Sequence, residues 1–452
     1  MSTPVLQTPS GASAGPAIPP APVLRVMTAG SVDDGKSTLI GRLLHDLDRI
    51  DDDVLEDLRR ASQRRGRGEL DLSLFTDGLS DEREQGITID VAYRYFAFGG
   101  RSFILADAPG HVEYTRNMVC AASQSDVALI LVDARTGPLE QTRRHALLAS
   151  LMGVPERVYL VNKMDLVDFD RGRFTAAREA IEAIEAGIAA REGVAPGRVH
   201  VLPICALDGD HLARRGDRMA WHEGPLLADL LLSLPARAAL DGKAPLRFPV
   251  QGLIRPTGRA AQARWHDFRG LAGRVESGRL AVGDTLAVAE PGRGEPRTAR
   301  VSAILLHEQE RQQAQAGDSI TLVLDADLDI SRGAMLVHAD QPAVFTDRLE
   351  VDLCWMDERP GRPGQRLLVK QGTRTLAARI ETLLGVVDVN TGRTEPVTDP
   401  AGALRRNAVV RARLHTERPL LADAYRQLPR TGSLILLEPG EFATLAAGVI
   451  RG

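Results

Sequence analysis

Eight residues near the amino terminus have the types and spacing of a phosphate-binding loop. The run Gly30-Ser31-Val32-Asp33-Asp34-Gly35-Lys36-Ser37 fits the pattern G-x-x-x-x-G-K-[ST] and lies between an apolar run at 23–29 and a helical pattern that starts at Thr38. Glycines allow backbone N–H groups to turn toward an anion at a helix N-terminus. We predict that this loop and Thr38 bind phosphates, that Lys36 reaches the β- and γ-phosphates, and that Ser37 ligates Mg²⁺.

Two further motifs can complete a site for phosphate and metal. Asp107-Ala108-Pro109-Gly110-His111 follows an apolar run at 103–106, so Asp107 is expected to hold a Mg²⁺-bound water and the Gly110 N–H to approach the γ-phosphate. Thr88, in Gly86-Ile87-Thr88-Ile89, is expected to ligate Mg²⁺ through its hydroxyl. Taken alone, each motif is also typical of an ordinary turn.

Two motifs later in the chain have the groups that guanine recognition requires. In Asn162-Lys163-Met164-Asp165, the Asp165 carboxylate can accept hydrogen bonds from guanine N1–H and the exocyclic amine, neither of which adenine offers. Asn162 is expected to contact the base, and the aliphatic stem of Lys163 to cover its face. In Cys205-Ala206-Leu207, the Ala206 N–H is expected to meet guanine O6.

The elements that must position these motifs alternate between strand-like and helical patterns. Predicted strands at 23–29, 102–106, 127–132, 158–161 and 199–204 are rich in apolar residues, as central parallel strands are. Most of the motifs directly follow one of these strands. The pattern predicts a doubly wound, mostly parallel α/β domain at 23–240, with its ligand at the carboxyl ends of the strands.

Beyond residue 240 the helical periodicity largely disappears. Short apolar runs separated by Gly, Pro and Asp predict two small β-barrels, at 241–343 and 344–452. Residues 1–22 carry no charged side chain and are rich in Pro, Ala, Ser and Thr, so we interpret them as a disordered arm.

Composition limits the class of protein. The chain has 452 residues, a formal net charge of −4 and three cysteines far apart in sequence. The charge gives no electrostatic argument for nucleic-acid binding, and the cysteines favour a reducing compartment over a disulfide framework. Because we find neither a secretory signal nor a membrane-spanning apolar run, we expect a cytoplasmic protein.

The motifs together resemble GTPases of the translation-factor superfamily, which includes elongation factor Tu. Longer segments resemble one branch, the large subunit (subunit 1) of bacterial sulfate adenylyltransferase. The segments that carry this resemblance are the phosphate loop, Asp81-Glu82-Arg83-Glu84-Gln85-Gly86-Ile87-Thr88-Ile89-Asp90, Tyr114-Thr115-Arg116-Asn117-Met118, Gln141-Thr142-Arg143-Arg144-His145 and Asn162-Lys163-Met164-Asp165-Leu166-Val167-Asp168. Fragments such as Asp267-Phe268-Arg269-Gly270 extend it to the barrels.

This resemblance implies a GTPase that works with a small adenylyltransferase subunit. GTP hydrolysis, with Mg²⁺, would drive the synthesis of adenosine 5′-phosphosulfate and pyrophosphate from ATP and sulfate. His111 would orient the attacking water. The chain departs from the family pattern where Cys205 stands in place of the usual Ser, and in an insertion at 256–266.

Some questions stay open at the level of sequence. Asp33 and Asp34 place two acids beside a polyphosphate, so one or both must point away, meet a cation or cap the loop. We also predict that residues 45–90 change conformation with the nucleotide and touch the partner. The alternatives to the sulfate enzyme are a translation factor that carries aminoacyl-tRNA and a regulatory GTPase with another client.

Overall fold

The computed structural model describes most of the chain. The described residues are 23–64, 70–75, 91–111, 114–192, 198–236, 244–255, 268–289, 297–306, 309–388 and 391–451. Thr88, the arm at 1–22 and the insertion at 256–266 lie outside these ranges, and so does part of the segment 45–90.

The N-terminal part of the chain forms a six-stranded sheet with the order β2-β3-β1-β4-β5-β6. Its strands are β1 (Leu24–Ala29), β2 (Ala92–Phe98), β3 (Arg101–Asp107), β4 (Val127–Asp133), β5 (Glu156–Asn162) and β6 (Arg198–Pro203). All neighbouring pairs are parallel except β2 with β3, which is antiparallel. Every residue of β4 and β5 is buried, which explains the apolar runs at 127–132 and 158–161 within them.

Helices cover this sheet on both faces. They are α1 (Lys36–Asp46), α2 (Asp52–Arg64), α3 (Thr115–Gln124), α4 (Glu140–Leu151), α5 (Arg171–Glu192) and α6 (Leu227–Ser233). Apolar residues of α1 and α6 pack in one core cluster, and those of α3, α4 and α5 in another. The doubly wound prediction is therefore confirmed. Among the described helices, none combines the length and apolar composition needed to cross a membrane.

The middle part of the chain is a closed β-barrel. Its strands are β7 (Phe248–Ile254), β8 (Gly270–Arg274), β9 (Arg279–Ala281), β10 (Thr285–Ala289), β11 (Arg297–Leu306), β12 (Gln309–Arg311), β13 (Gln313–Gln315), β14 (Ser319–Leu324) and β15 (Met335–His338). Six of them close in the order β10-β15-β7-β8-β14-β11, because β11 also pairs with β10. Full closure removes exposed sheet edges and surrounds a separate core around Phe248 and Leu336.

The C-terminal part repeats this design with longer strands. These are β16 (Phe345–Trp355), β17 (Arg366–Gln371), β18 (Arg374–Val387), β19 (Thr394–Glu395), β20 (Val409–Leu421), β21 (Ser433–Leu437) and β22 (Thr444–Ile450), with a short helix α7 (Pro400–Ala403). The ring β17-β21-β22-β16-β20-β18 closes by the pairing of β17 with β18. Trp355 is fully buried in its core. The prediction of two barrels is confirmed.

The C-terminal barrel docks on the helices of the first domain. Its residues Cys354, Val409 and Val449 belong to the same apolar cluster as α3, α4 and α5. The Tyr425 hydroxyl donates a hydrogen bond to the Met152 carbonyl at 2.7 Å. The middle barrel has a core of its own, and a buried ion pair between Arg247 and Asp423 ties its first residues to the C-terminal barrel.

Candidate nucleotide-binding site

The phosphate loop joins the end of β1 to the start of α1, as the sequence predicts. Gly35 precedes the helix with a φ of 92°, a left-handed conformation that favours glycine. A Cβ at this position would lie 2.6 Å from the Nδ2 atom of Asn162. No side chain caps the first turn of α1, so its backbone N–H groups remain directed at the loop, as in anion sites at helix N-termini.

The side chain of Lys36, the first residue of α1, reaches back to the start of the loop. It is buried, and its Nζ donates hydrogen bonds to the carbonyl oxygens of Gly30 at 3.1 Å and Ser31 at 2.9 Å. Burial lowers the pKa of Lys36, and the negative charges of Asp107 and Asp34 oppose that shift. A buried ammonium at a helix N-terminus is suited to receive an anion.

The structure shows different roles for the two neighbouring acids of the loop. Asp34 is buried, and its Oδ2 accepts a hydrogen bond from the Ser31 N–H at 2.5 Å, so it caps the loop. Burial raises the pKa of the Asp34 carboxyl, and the hydrogen bond from Ser31 opposes the rise. Asp33 is exposed and has a φ of 68°.

The end of β3 and the residues that follow it pack against the phosphate loop. Asp107 is buried and accepts a hydrogen bond from the Thr28 hydroxyl at 2.8 Å. Gly110 packs directly against the loop, since a Cβ there would collide with Lys36 Nζ and with the Gly30 carbonyl oxygen at 2.5 Å. Only glycine fits this approach. His111 follows with an exposed side chain that lies edge-on to the Tyr114 ring.

The donor set fits a magnesium ion bound together with a nucleotide. Ser37 is partly buried at the start of α1, and Asp107 ends the neighbouring strand β3. Within the described ranges no group of three His, Cys, Asp or Glu side chains could hold a metal by itself. Magnesium in phosphate sites is held by one or two protein oxygens and completed by phosphates and water. Thr88, the third predicted ligand, lies outside the described residues.

A single buried amide joins the phosphate loop to the predicted base-binding loops. Asn162 Nδ2 donates to the Asp34 carbonyl at 2.8 Å, and Asn162 Oδ1 accepts from the Ala206 N–H at 2.9 Å. In this conformation the Ala206 N–H, predicted to meet guanine O6, therefore already has a protein acceptor. It helps to hold Asn162 in place.

The remaining residues predicted to bind the base also contact neighbouring residues. The Cys205 thiol donates to Asp165 Oδ1 at 3.2 Å. Burial raises the pKa of Cys205 to about 12, which keeps the thiol protonated as a donor. Lys163 has a φ of 61°, and its Nζ lies 3.0 Å from Asp133 Oδ2. Leu207 is exposed and its carbonyl accepts a hydrogen bond from Arg42.

Comparison with known families decides the class of this site. Residues 21–237 match the family model of the elongation factor Tu GTP binding domain. Residues 348–451 match the model described as GTP-eEF1A C-terminal domain-like. Both matched regions are therefore similar to domains of elongation factor Tu-like GTPases. The matched ranges contain every described residue of the site.

The solved structure of one further protein has the same fold as this chain. The GTPase-like domain of Ski7 from S. cerevisiae, determined with bound GTP, has 16% sequence identity and a TM-score of 0.51. That match covers 96% of this chain and 97% of the other chain. Sup35 complexed with GDP has 22% identity and a TM-score of 0.41, with 96% of this chain and 94% of that chain covered.

Several residues that support the site were not predicted from the sequence. Asp133 ends β4 and contacts Lys163 and Arg135. Burial opposes ionisation of Asp133, but hydrogen bonds from Arg135 and Lys163 lower its pKa to about 2. Gln141 donates to the Gly110 carbonyl at 3.2 Å and contacts His145. The position of Asp133 at the end of a predicted strand could have indicated a role in the site. The contact of Gln141 with Gly110 could not be predicted, because it depends on how α4 packs on the sheet.

Proposed function

We propose that this GTPase binds GTP across Gly30–Ser37 and reads guanine through Asn162, Lys163 and Asp165. The observation that carries the proposal is the Asn162 bridge, because one buried amide connects the loop for phosphates with the loops for the base. Unpaired buried polar groups are costly, so the three segments hold one shape before the ligand arrives.

Each group has a defined part in this proposal. Lys36 and the N–H groups at the start of α1 neutralise the phosphates, and the Asp165 carboxylate accepts two hydrogen bonds from guanine. Bound Mg²⁺, ligated by Ser37 and Thr88 and through water by Asp107, would supply charge neutralisation at the phosphate oxygens. His111 is exposed and comes directly after Gly110, which packs against Lys36. In this proposal His111 orients the attacking water.

The proposed role of His111 has a direct test. His111→Ala should leave GTP affinity unchanged and reduce partner-stimulated turnover by about 10²-fold or more, because a positioned acid–base side chain typically contributes that much. The control is His415→Ala, which removes a partly exposed imidazole from the C-terminal barrel and should leave turnover unchanged. Lost GTP binding in a folded His111→Ala protein would contradict the role.

For the client of this GTPase, we propose the small adenylyltransferase subunit of a heteromeric sulfate adenylyltransferase. The support is the resemblance of the segments around 81–90, 114–118, 141–145 and 162–168. In this role GTP hydrolysis drives formation of adenosine 5′-phosphosulfate and pyrophosphate. The adenylyl-transfer site would lie in the partner.

A translation-factor role is the second candidate, and one observation favours it. The family models carry the names of elongation factors, and they fit this candidate better than the sulfate enzyme. Against it stands the net charge of −4, since RNA binding relies on neutralising phosphates with Lys and Arg. A regulatory GTPase with another client shares all the described features.

An activity assay of the purified complex distinguishes these roles. Tagged chain with its co-eluting partner is assayed for adenosine 5′-phosphosulfate formation from ATP and sulfate, with GTP and then with GDP. We expect product only with the partner and strong stimulation by GTP. Binding of aminoacyl-tRNA with a steep salt dependence, and no sulfate product, would favour the translation-factor role.

A further inference from the structure

Asp34 caps its loop in the same way as two aspartates far from the site. Asp284 Oδ2 accepts the Ala281 N–H at 2.7 Å, and Asp318 Oδ2 accepts the Gln315 N–H at 2.9 Å. In each case the acceptor carboxylate lies three residues after the donor. The backbone N–H of the same aspartate donates in turn to the carbonyl oxygen of that donor residue. The geometry by itself is therefore that of an ordinary aspartate turn.

The surroundings of Asp34 are different from those of the other two. Asp34 is 5% exposed, whereas Asp284 and Asp318 are partly exposed. The charges of Lys36 and Lys163 both act on its carboxylate. Asp34 is bonded to the phosphate loop through the Ser31 N–H and to the base end through the Asn162 amide, so it lies between the two ends of the proposed site.

A buried carboxylate here has two opposing effects. Its hydrogen bond to the Ser31 N–H holds the loop in shape, which favours binding. Its negative charge repels the phosphates, because charges inside a protein are weakly screened by solvent. An asparagine has the same shape and keeps an acceptor oxygen for Ser31, but it removes the charge.

We propose that the carboxylate of Asp34 sets the nucleotide affinity of this GTPase, holding the phosphate loop in shape while its charge promotes nucleotide release. The inference rests on the proposed binding of GTP by this loop. It makes Asp34 a positioning residue that tunes affinity and release.

The test compares binding of fluorescent guanine nucleotides by the full chain and two variants. Asp34→Asn should bind GDP about five- to thirtyfold more tightly than wild type, as expected for one charge removed several ångströms from the phosphates at an intermediate dielectric constant. GDP dissociation should slow by a similar factor. Asp34→Ala, which also loses the cap, should bind less tightly than Asp34→Asn.

A series of nucleotides separates charge from structure. The gain from Asp34→Asn should increase from GMP to GDP to GTP, since each phosphate adds negative charge. A change that only altered loop shape would affect GDP and GTP about equally. Asp318→Asn makes the same substitution in the same kind of turn in the middle barrel, and it should leave every affinity unchanged.

The outcomes are distinguishable. Tighter binding that grows with phosphate number in Asp34→Asn, and not in Asp318→Asn, supports the inference. Equal or weaker binding by a folded Asp34→Asn protein overturns it and leaves the proposed GTP site intact. If the wild-type chain bound no guanine nucleotide, the proposed function and this inference would both be wrong. Unfolding temperature without nucleotide shows whether each variant is folded.

Discussion

At the scale of single residues, the site is held together by contacts that leave little room for substitution. Asn162 contacts the phosphate loop on one side and Ala206 on the other, and Gly35 lies directly beneath its amide. Gly110 packs in the same way against Lys36. At both positions a Cβ atom would collide with a neighbouring group, which is why glycine is required there.

The first prediction concerns Gly35. Gly35→Ala should reduce GDP affinity by at least about 10²-fold, because the new methyl group meets the Asn162 amide and strains a left-handed residue. Gly283→Ala is the matched control, since Gly283 has a φ of 95° and nothing within 4 Å of its Cβ position. It should lose about 1 kcal/mol of stability and no affinity.

Equilibrium titration with fluorescent GDP and urea unfolding measure both effects for each variant. If the two alanine variants showed the same affinity, collision with Asn162 would have no role. Glycine would then not be required at position 35 for nucleotide binding.

At the scale of elements, α4 carries a buried imidazole behind the loop. His145 is 2% exposed and contacts Gln141, which holds the Gly110 carbonyl. Burial lowers the pKa of His145 to about 3, and nearby Lys36 and Arg144 add to the shift. The helix therefore packs against the site with a neutral histidine.

The second prediction follows from that pKa by linkage. A histidine with a lowered pKa stabilises the fold fully above its unfolded value near pH 6.5, and the contribution is lost as pH falls toward the folded value of about 3. Below pH 6.5, His145 should therefore add up to about 1.4 kcal/mol per pH unit to the loss of unfolding free energy. His145→Gln, which keeps an acceptor for Gln141, should reduce this slope.

Urea midpoints between pH 7 and pH 5 measure the slope. Burial lowers the pKa of His211 as well, and that of His222 to about 4, so part of the slope should remain in the variant. Parallel curves for wild type and His145→Gln would show that His145 is not the group that titrates.

At the scale of the whole molecule, the two barrels are attached to the GTPase domain in different ways. The C-terminal barrel shares an apolar cluster with α3, α4 and α5, and Arg191 of α5 reaches Asp352 of β16. The middle barrel has its own core and is tied to the C-terminal barrel by Arg247 and Asp423, both buried. Asp423 also accepts the Thr431 hydroxyl at 2.6 Å.

The third prediction tests this attachment. Asp423→Ala should cost about 3–5 kcal/mol, because it leaves the Arg247 guanidinium buried without its counter-charge. Asp327→Ala removes the exposed partner of Arg269, which keeps two backbone acceptors, and should cost less than about 1 kcal/mol.

Calorimetry of both variants measures the two costs. It also shows whether the middle barrel unfolds at a lower temperature than the rest in Asp423→Ala. Similar losses in the two variants would contradict the special role of the buried pair.

The sequence by itself determined the architecture and the positions of the motifs. The α/β pattern before residue 240 and the short apolar runs after it follow from local periodicity, and β4 (Val127–Asp133) matches the strand predicted at 127–132 to within one residue. The edge strand β2 and the helix α2 were not predicted. Half-exposed strands and polar helices depend less on apolar patterning, so the sequence signal there is weaker.

Only the tertiary structure decided which atoms meet. The sequence left the roles of Asp33 and Asp34 open and gave no reason to link Asp133 with Lys163. Such contacts join residues far apart in the chain, as Asn162 joins Asp34 and Ala206. They depend on how strands align in the sheet and how helices pack on it, and local sequence patterns do not encode that arrangement residue by residue.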